Sequence, residues 1–364
     1  MKKTLLASTA LVAVAALAAP ASAAEKINVS VGGYMQQWFG WAENDSPAED
    51  GFDQKNDTEI HFKGSTLLDN GLEVGIQVEL EGQTEGDQID ESYLWVEGGF
   101  GRLVMGKENG ANYLMHYAPI EAGIGMNSGD ISNSNDGSTG WIANTTGANF
   151  YNGIGSTFAR TVDNDHNKIS YFTPRFAGFQ FGASYTPEQQ ADNDNARGMN
   201  GVNYEDGLSF GLNYDQKFND FRVQASAGYF HADGENGFQD AESHNWGLRL
   251  GYGGFTLAGS AAFYEKGQNG VNNFMEGETY NAGIHWANGP LAASFSWLYG
   301  EQEGQAGGGD DELQAFMLSM GYTLGPGVEV RASAFHGDWE AEGGAGGGTD
   351  NDGFGVVAGF NLSF

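Results

Sequence analysis

The sequence predicts an all-β protein, a transmembrane antiparallel β-barrel of about sixteen strands with a long third loop folded into its lumen. Three observations favour this fold class. Runs of roughly ten residues alternate between apolar and polar side chains, short Gly-rich and Asn-rich turns alternate with long acidic loops, and aromatic residues gather near strand ends. A soluble β-sandwich would show the same alternation. The even number of strands and the regular order of short and long connections favour the closed barrel.

Residues 1–24 have the composition of a cleaved export signal. Two lysines precede the apolar stretch Leu5–Ala19, which is too short for a transmembrane helix, and small residues follow it. We expect cleavage after Ala23 or Ala24 and a single barrel domain over residues 25–364. The protein is therefore expected to be exported.

The composition is strongly acidic. The chain has 16 Lys and Arg against 48 Asp and Glu, a net charge of −32. Loss of the two lysines of the export signal leaves 14 basic and 48 acidic side chains, a net charge of −34. Such a chain repels nucleic acid and attracts cations. The absence of cysteine excludes disulfides and thiol chemistry, and an aromatic content of 13% argues against a disordered acidic chain.

The first strands show the alternation clearly. A run at 27–41 precedes an acidic loop at Glu43–Asp57, and a second run follows at Thr58–Leu68. The run Leu72–Leu80 has Leu, Val or Ile at every second position and Glu, Gly or Gln between them, which is typical of a strand with two different faces. The Asp-Asn-Gly tripeptide before it predicts a tight hairpin.

The same pattern continues to the last residue. Most of the acidic residues lie in the long loops, at Glu43–Asp57, Glu188–Asp206, Asp233–Glu242, Glu301–Glu312 and Asp338–Asp352. The remaining predicted strands are Ser92–Glu97, Arg102–Gly106, Asn167–Thr173, Phe179–Tyr185, Leu208–Lys217, Phe221–Phe230, Trp246–Tyr252, Phe255–Tyr264, Tyr280–Trp286, Leu291–Tyr299, Phe316–Leu324, Val328–Phe335 and Phe354–Phe364.

The interval Lys107–Asp165 interrupts this pattern. It is rich in Gly, Asn and Ser, contains isolated aromatic residues, and has no sustained helical or strand period. Loops of this length in compact domains are usually binding loops or lids. We interpret the interval as a loop that folds into the barrel and narrows its lumen, because its aromatic and aliphatic side chains need a surface to pack on. The alternative is an excursion on the outer surface.

Three segments resemble a known family. The run Phe354–Phe364 ends in a terminal aromatic residue, Ser92–Asn109 contains a Gly-Phe-Gly turn between two strands, and Lys168–Gly178 follows the long loop. Together they resemble the sixteen-stranded trimeric general diffusion porins of the Gram-negative outer membrane. This resemblance implies passive diffusion of small hydrophilic solutes and ions, a homotrimer surrounded by lipid and lipopolysaccharide, and a constriction formed by the third loop. It also implies recognition by the barrel-assembly machinery through Phe360, Leu362 and Phe364.

The resemblance and the alternation suggest which side chains line a pore. The candidate acids on the constriction loop, about 107–165, are Glu108, Glu121, Asp130 and Asp136. The candidate wall residues, which alternation directs inward, are His61, Lys63, Arg222, Arg249 and Arg331. The early strands hold few Lys or Arg, unlike the family pattern. We therefore expect a weak transverse field and a preference for cations.

Other functions find less support in the sequence. The seven histidines are scattered without metal-ligand spacing, and no Ser–His–acid motif indicates catalysis. Acidic loops favour weak calcium binding outside the barrel, although no calcium motif is complete and no cofactor is expected. A calcium-dependent adhesin would need nonapeptide repeats, which are missing. A substrate-specific channel stays an alternative, with Trp141, Tyr151 and Phe158 as a possible aromatic path for sugars.

Overall fold

Sixteen antiparallel strands close into one barrel in the computed structural model. The structure describes residues 26–45, 50–82, 88–133, 140–146, 148, 150–159, 164–189, 203–266, 276–303, 309–342 and 348–364. The barrel strands are β1 (Asn28–Asn44), β2 (Gly51–Leu67), β3 (Glu73–Glu81), β4 (Ile89–Gly98), β5 (Gly101–Lys107), β6 (Asn167–Phe172), β7 (Phe179–Glu188), β8 (Tyr204–Phe218), β9 (Phe221–Gly234), β10 (Ala241–Tyr252), β11 (Phe255–Lys266), β12 (Gly277–Asn288), β13 (Leu291–Glu303), β14 (Asp310–Gly325), β15 (Val328–Glu340) and β16 (Asn351–Ser363).

Each strand pairs with its neighbours in the sequence, and β16 closes the sheet by pairing with β1. At this seam Trp38 lies opposite Gly359, and the backbone groups of Gly33 and Phe364 exchange two hydrogen bonds. Closure leaves the barrel without an edge strand. The predicted all-β antiparallel barrel of sixteen strands is confirmed.

The two faces of the sheet differ in the way that the alternation predicts. Outward side chains are large, apolar and exposed, as in Leu208, Phe210 and Leu212 of β8. Inward side chains on the same strand are small or polar, such as Ser209 and Asn213, and they are buried. An apolar outer face and a polar inner face are the arrangement of a barrel that lies in lipid around a wet interior.

The long-loop ends of the strands extend further than the sequence predicts. The segment Glu43–Asp57 was expected to be a loop, but β1 continues to Asn44 and β2 already begins at Gly51. The region Asp338–Asp352 differs in the same way, since β15 reaches Glu340. Strand pairing requires only backbone partners, such as Gln36 opposite Asp57. A strand can therefore continue past the apolar belt with acidic side chains.

The described residues of the long interval after β5 lie inside the barrel, and we call the interval 108–166 the inner loop. It contains a four-residue helix, α1 (Ala111–Leu114), a parallel bridge between Ser132–Asn133 and Ile142–Ala143, and a π-helical turn at Phe150–Ile154. The inward position predicted for this loop is confirmed. Within the described residues, no helix has the length and apolar character to cross a membrane. The predicted export signal, 1–24, lies outside them.

Candidate functional site

A row of inward-facing serines attaches the inner loop to the barrel wall. Each serine hydroxyl accepts a hydrogen bond from a backbone amide of the loop. We call these residues the serine belt: Ser184 (from Ala111, 3.0 Å), Ser209 (from Asn112, 2.8 Å), Ser226 (from Tyr117, 2.9 Å), Ser294 (from Ala122, 2.9 Å) and Ser333 (from Ile124, 3.1 Å). These bonds satisfy loop amides that would otherwise be buried without partners.

Strand register explains why the serines form a belt. Ser209 lies opposite Ser184, and Ser294 and Ser333 both pair with Ser319. Glycines beside them make room for the loop backbone. A Cβ at Gly247 would lie 2.1 Å from the Tyr117 carbonyl oxygen. The polar faces of these strands therefore hold a loop close to the wall.

Behind the loop, apolar side chains form a core inside the barrel. The core joins the loop to β13–β16 and β1. Its members are Trp38, Ala42, Ile124, Met126, Ile131, Trp141, Ile142, Ala148, Phe150, Ile154, Leu298, Leu313, Ala315, Met317, Phe335, Trp339 and Val357. Asn44 and Asn351 anchor the same region, since the amide groups of both donate to backbone carbonyls of the loop. Burial of this much apolar surface fixes the loop against one side of the lumen.

The aromatic path for sugars suggested by Trp141, Tyr151 and Phe158 contains at least one side chain that solutes cannot reach. Trp141 is only 2% exposed and belongs to the apolar core. Phe158 packs against Tyr113, with ring centroids 5.0 Å apart. The structure gives no description of the Tyr151 side chain. Trp141 thus contributes to loop packing.

The described hydrogen bonds from Ala111 to Phe158 reach strands β7 to β13, β15, β16 and β1, together with Lys55 of β2. At the start of the loop, the Asn109 side chain donates to Glu91 of β4. The opposite wall, β2 to β5, faces the lumen with polar side chains. Lys63 is exposed there, and the side chain of His61 keeps 29% of its accessible surface. The inner loop thus covers one side of the barrel and leaves the other lined by charged groups.

This open wall carries its charges in two zones. Toward the long-loop end, four glutamates are less than a tenth exposed: Glu59, Glu79, Glu91 and Glu108. Toward the short-turn end, Lys63 and Arg102 lie over the ring of Trp95, at 5.6 and 4.9 Å from its centroid. A cation that enters from the long-loop end would therefore pass the acidic zone before it reaches the basic zone.

The predicted loop acids have different surroundings. Glu108 lies beside β4, where its Oε1 accepts a hydrogen bond from the Asn109 amide (2.7 Å). Glu121 Oε2 accepts one from the Met126 amide (2.9 Å), while its Oε1 is buried without a hydrogen-bond partner in the described structure. Burial raises the pKa of Glu121 to about 7. Asp130 accepts a bond from the Gly125 amide (3.2 Å), and Asp136 lies outside the described residues.

The three predicted arginines each have a close partner. Arg222 forms a bidentate pair with Asp215 (2.5 and 2.8 Å), and Arg331 bonds to Glu329 (2.6 and 3.0 Å). Arg249 donates to the carbonyl of Ala118 in the inner loop (2.5 Å). The described contacts do not bring these arginines together with Glu108, Glu121 or Asp130. Of the predicted wall residues, His61 and Lys63 lie on the open wall.

The sequence interpretation did not identify the acidic neighbours of His61. Strand pairing places His61 opposite Glu79, and Glu59 lies two residues away on the same face. Along the sequence these three residues show no metal-ligand spacing, because they come from two strands. The Asn70-Gly71 hairpin and the alternation contained the signal, since together they determine which residues of β2 and β3 lie side by side.

His116 is a further buried group in the inner loop. Its ring contacts the hydroxyls of Thr157 (3.3 Å) and Ser226 (3.4 Å), and its ring lies edge-on to Phe158. Burial, with a smaller contribution from Arg249, lowers the pKa of His116 to about 3. This histidine is therefore neutral at physiological pH. It connects the first part of the inner loop to Thr157, near the end of the loop, and to Ser226 on the wall.

Comparisons with known proteins agree with this geometry. A family model described as Gram-negative porin matches residues 7–340. The major outer membrane protein P.IB of Neisseria sicca is 28% identical over 162 residues, which is 43% of this chain and 38% of that protein. An anion-selective porin from Comamonas acidovorans superposes with a TM-score of 0.64 at 16% identity, covering 93% of this chain and all of that one. OmpT of Vibrio cholerae, in its trimer form, gives 0.59 at 15% identity with the same coverage.

Proposed function

Since the chain belongs to the Gram-negative porin family, a family of bacterial outer-membrane proteins, we propose that it forms a water-filled channel. The channel would admit small hydrophilic solutes and ions by passive diffusion and would perform no catalysis. The observation that carries this proposal is the one-sided attachment of the inner loop. The serine belt and the apolar core hold the loop against β7–β16 and β1, which leaves a polar lumen beside β2–β5.

The inner loop, which corresponds to the constriction loop predicted at about 107–165, is the constriction in this proposal. Its backbone fills one side of the barrel at the level of the serine belt, and β2 to β5 form the other side of the narrowed passage. Solute size would be limited by the distance between them. Lys55 links the two sides at the long-loop end, where its Nζ donates to the carbonyl of Gly140 (2.5 Å) and lies 5.1 Å from the Trp141 ring.

We further propose that the channel prefers cations. The open wall places Glu59, Glu79 and Glu91 on the strands and Glu108 at the start of the loop. Carboxylates that line a narrow passage raise the local concentration of cations and lower that of anions. The anion preference in the name of the Comamonas porin concerns that protein. The basic zone at Lys63 and Arg102 would reduce this preference without reversing it.

We propose a homotrimer as the assembled form. OmpT of Vibrio cholerae has a trimer form, which supports this by analogy of fold. On the outer face of this barrel, Gln54 donates to Gln37 (3.0 Å) between β2 and β1. In a trimer, a neighbouring subunit would cover this polar part of the outer wall.

The last strand would provide the assembly signal. Phe360 and Phe364 are exposed on the outer face, and Leu362 lies between them at the closing seam with β1. An exposed row of apolar side chains on a strand end is suited to recognition by the barrel-assembly machinery before lipid covers it. The same outer surface would contact membrane lipid and lipopolysaccharide in the finished barrel.

Planar-bilayer electrophysiology tests the channel and its ion preference together. We expect stepwise, ohmic conductance in KCl, with steps grouped in threes, and a reversal potential of the sign for cation preference under a KCl gradient. A folded and inserted protein that conducts no current would overturn the channel. Anion preference would leave the channel intact and refute the electrostatic part.

A further inference from the structure

Three potential metal ligands meet on the open wall of the lumen. The His61 Nε2 atom lies 3.1 Å from Glu59 Oε2 and 3.6 Å from Glu79 Oε2. One ligand atom from each of the three residues lies within 4.8 Å of the other two. The 3.1 Å contact lacks hydrogen-bond geometry, since His61 Nε2 has no hydrogen-bond partner among the described residues. Neither carboxylate therefore forms a hydrogen bond with the His61 ring, although both lie close to it.

We propose that Glu59, His61 and Glu79 form a binding site for a divalent transition-metal cation, such as Zn²⁺ or Co²⁺, inside the channel. Metal–nitrogen and metal–oxygen bonds of about 2.1 Å separate adjacent ligands by roughly 3.0 Å in an octahedron and 3.4 Å in a tetrahedron. The distances from His61 Nε2 to the two carboxylates, 3.1 and 3.6 Å, are close to these values. An imidazole with two carboxylates favours zinc and related metals over magnesium or calcium, which prefer oxygen ligands alone.

A buried oxygen without a partner independently supports a cation here. Glu59 is 7% exposed, and its Oε1 has no accessible surface and no hydrogen-bond partner in the described part of the chain. Buried carboxylate oxygens are almost always hydrogen-bonded or coordinated, because removing them from water is unfavourable. A metal ion beside Glu59 would supply the missing interaction.

A second group of oxygens adjoins the first. Glu59 also belongs to a set with Glu81 and Asp90, whose ligand atoms again lie within 4.8 Å of one another. Glu59 thus belongs to two potential ligand sets, one that includes the nitrogen of His61 and one that has only carboxylate oxygens. The extra carboxylates increase the negative potential around His61 and attract any divalent cation that enters the lumen.

Neighbouring side chains hold the proposed ligands in position. The Gln77 amide donates to Glu79 Oε1, which leaves Oε2 directed to His61. The Tyr34 ring lies edge-on to the His61 ring, with centroids 6.3 Å apart. Hydrogen bonds and packing of this kind orient metal ligands in known sites. His61 remains partly accessible, so an ion can reach the site from the lumen.

This inference rests on the proposed function, because it names divalent transition metals as a class of solute that the channel retains. The test is titration of the refolded full-length barrel in detergent, without an affinity tag, with Co²⁺ followed by visible absorption and with Zn²⁺ by calorimetry. We expect one strong site per chain. The His61→Gln variant should weaken binding at least tenfold, as loss of a ligand does.

A matched control uses a histidine with a single carboxylate partner. His336 lies 2.9 Å from Asp352 and is more exposed than His61. His336→Gln should bind Co²⁺ as the original protein does. Equal affinities in the original protein and His61→Gln, or no binding to the original protein, would overturn the site. Circular dichroism and heat-dependent gel mobility confirm folding of each variant. KCl conductance is measured separately, so the channel and the metal site fail or succeed independently.

Discussion

Asn112 of the inner loop and Ser209 of the barrel wall exchange two hydrogen bonds. The Asn112 amide donates to Ser209 Oγ (2.8 Å), and Ser209 Oγ donates to Asn112 Oδ1 (2.7 Å). The two residues are separated by 97 positions in the sequence and are both almost fully buried. This pair fixes helix α1 to β8, at the point where the inner loop leaves the early strands and turns along the wall.

Ser209→Ala removes both bonds and leaves two buried polar groups of Asn112 unsatisfied. We expect a loss of about 1–3 kcal/mol in the free energy of unfolding, the usual effect of a buried group without its partner. Guanidinium unfolding followed by tryptophan fluorescence measures it. Ser65→Ala, at an exposed serine of β2, is the control and should change stability by less than about 0.5 kcal/mol. Equal effects of the two substitutions would refute this role of Ser209.

Gly247→Ala tests the close approach of loop and wall. The added Cβ would lie 2.1 Å from the Tyr117 carbonyl oxygen, so the loop must move or the strand must shift. We expect destabilisation of about 1–3 kcal/mol, as for other overpacked sites, and altered single-channel conductance. Gly259→Ala on β11 is matched, because the atom closest to its Cβ is 3.9 Å away. Unchanged conductance and stability in Gly247→Ala would show that the loop does not contact the wall there.

Glu108→Gln should reduce the preference for cations. One charge acting over about 6 Å in water favours a cation by about 0.7 kcal/mol and disfavours an anion by the same amount, so the ratio of cation to anion permeability should fall by up to about tenfold. Reversal potentials under a KCl gradient measure this ratio. Glu303→Gln, at an exposed end of β13, should leave it unchanged. An unaltered ratio in Glu108→Gln would mean that ions do not pass close to this carboxylate.

The buried Glu121 carboxyl predicts a pH-dependent stability of the inner loop. Its pKa is raised from 4.5 to about 7, so the folded protein binds more protons than the unfolded chain between these values. The stabilisation is present below pH 4.5 and is lost as pH rises to 7, by up to about 3 kcal/mol. Glu121→Gln should therefore remove this loss. The readout is the difference between guanidinium midpoints at pH 5 and pH 8.

Glu276→Gln is the control for the pH measurement, since Glu276 is exposed outside the strands. It should keep the pH dependence of the original protein. If Glu121→Gln kept it as well, the pH response would have to come from other groups.

The sequence predicted the sheet more fully than the loop path. Alternation locates strands wherever one face is apolar, as in Leu72–Leu80, and the turn residues set the pairing of adjacent strands. The predicted strand boundary was wrong at Gly51–Asp57. This part of β2 is acidic and lacks the apolar alternation, but its backbone pairs with β1. The path of the inner loop depends on contacts such as Ile124 with Ser333, which are 209 positions apart. No local pattern carries that information.

The candidate site shows the same division. Alternation places His61 and Lys63 on the inward face of the second strand, because this assignment needs only the strand period. The grouping of His61 with Glu79 required the register of two strands, and the pairing of Arg222 with Asp215 required side-chain geometry. Glu121 looked like a lumen acid in the sequence. Its burial results from packing between loop and wall that no sequence period describes.

The serine belt has a consequence for how the channel responds to its medium. Its bonds join neutral hydroxyls to neutral amides, so dissolved salt screens them very little. At 0.1 M, salt largely screens the interaction between a wall carboxylate and an ion more than about 10 Å away. The width of the passage and its discrimination between ions are therefore set by different forces. A change in salt concentration would therefore leave the size limit for solutes constant and would alter the selectivity between cations and anions.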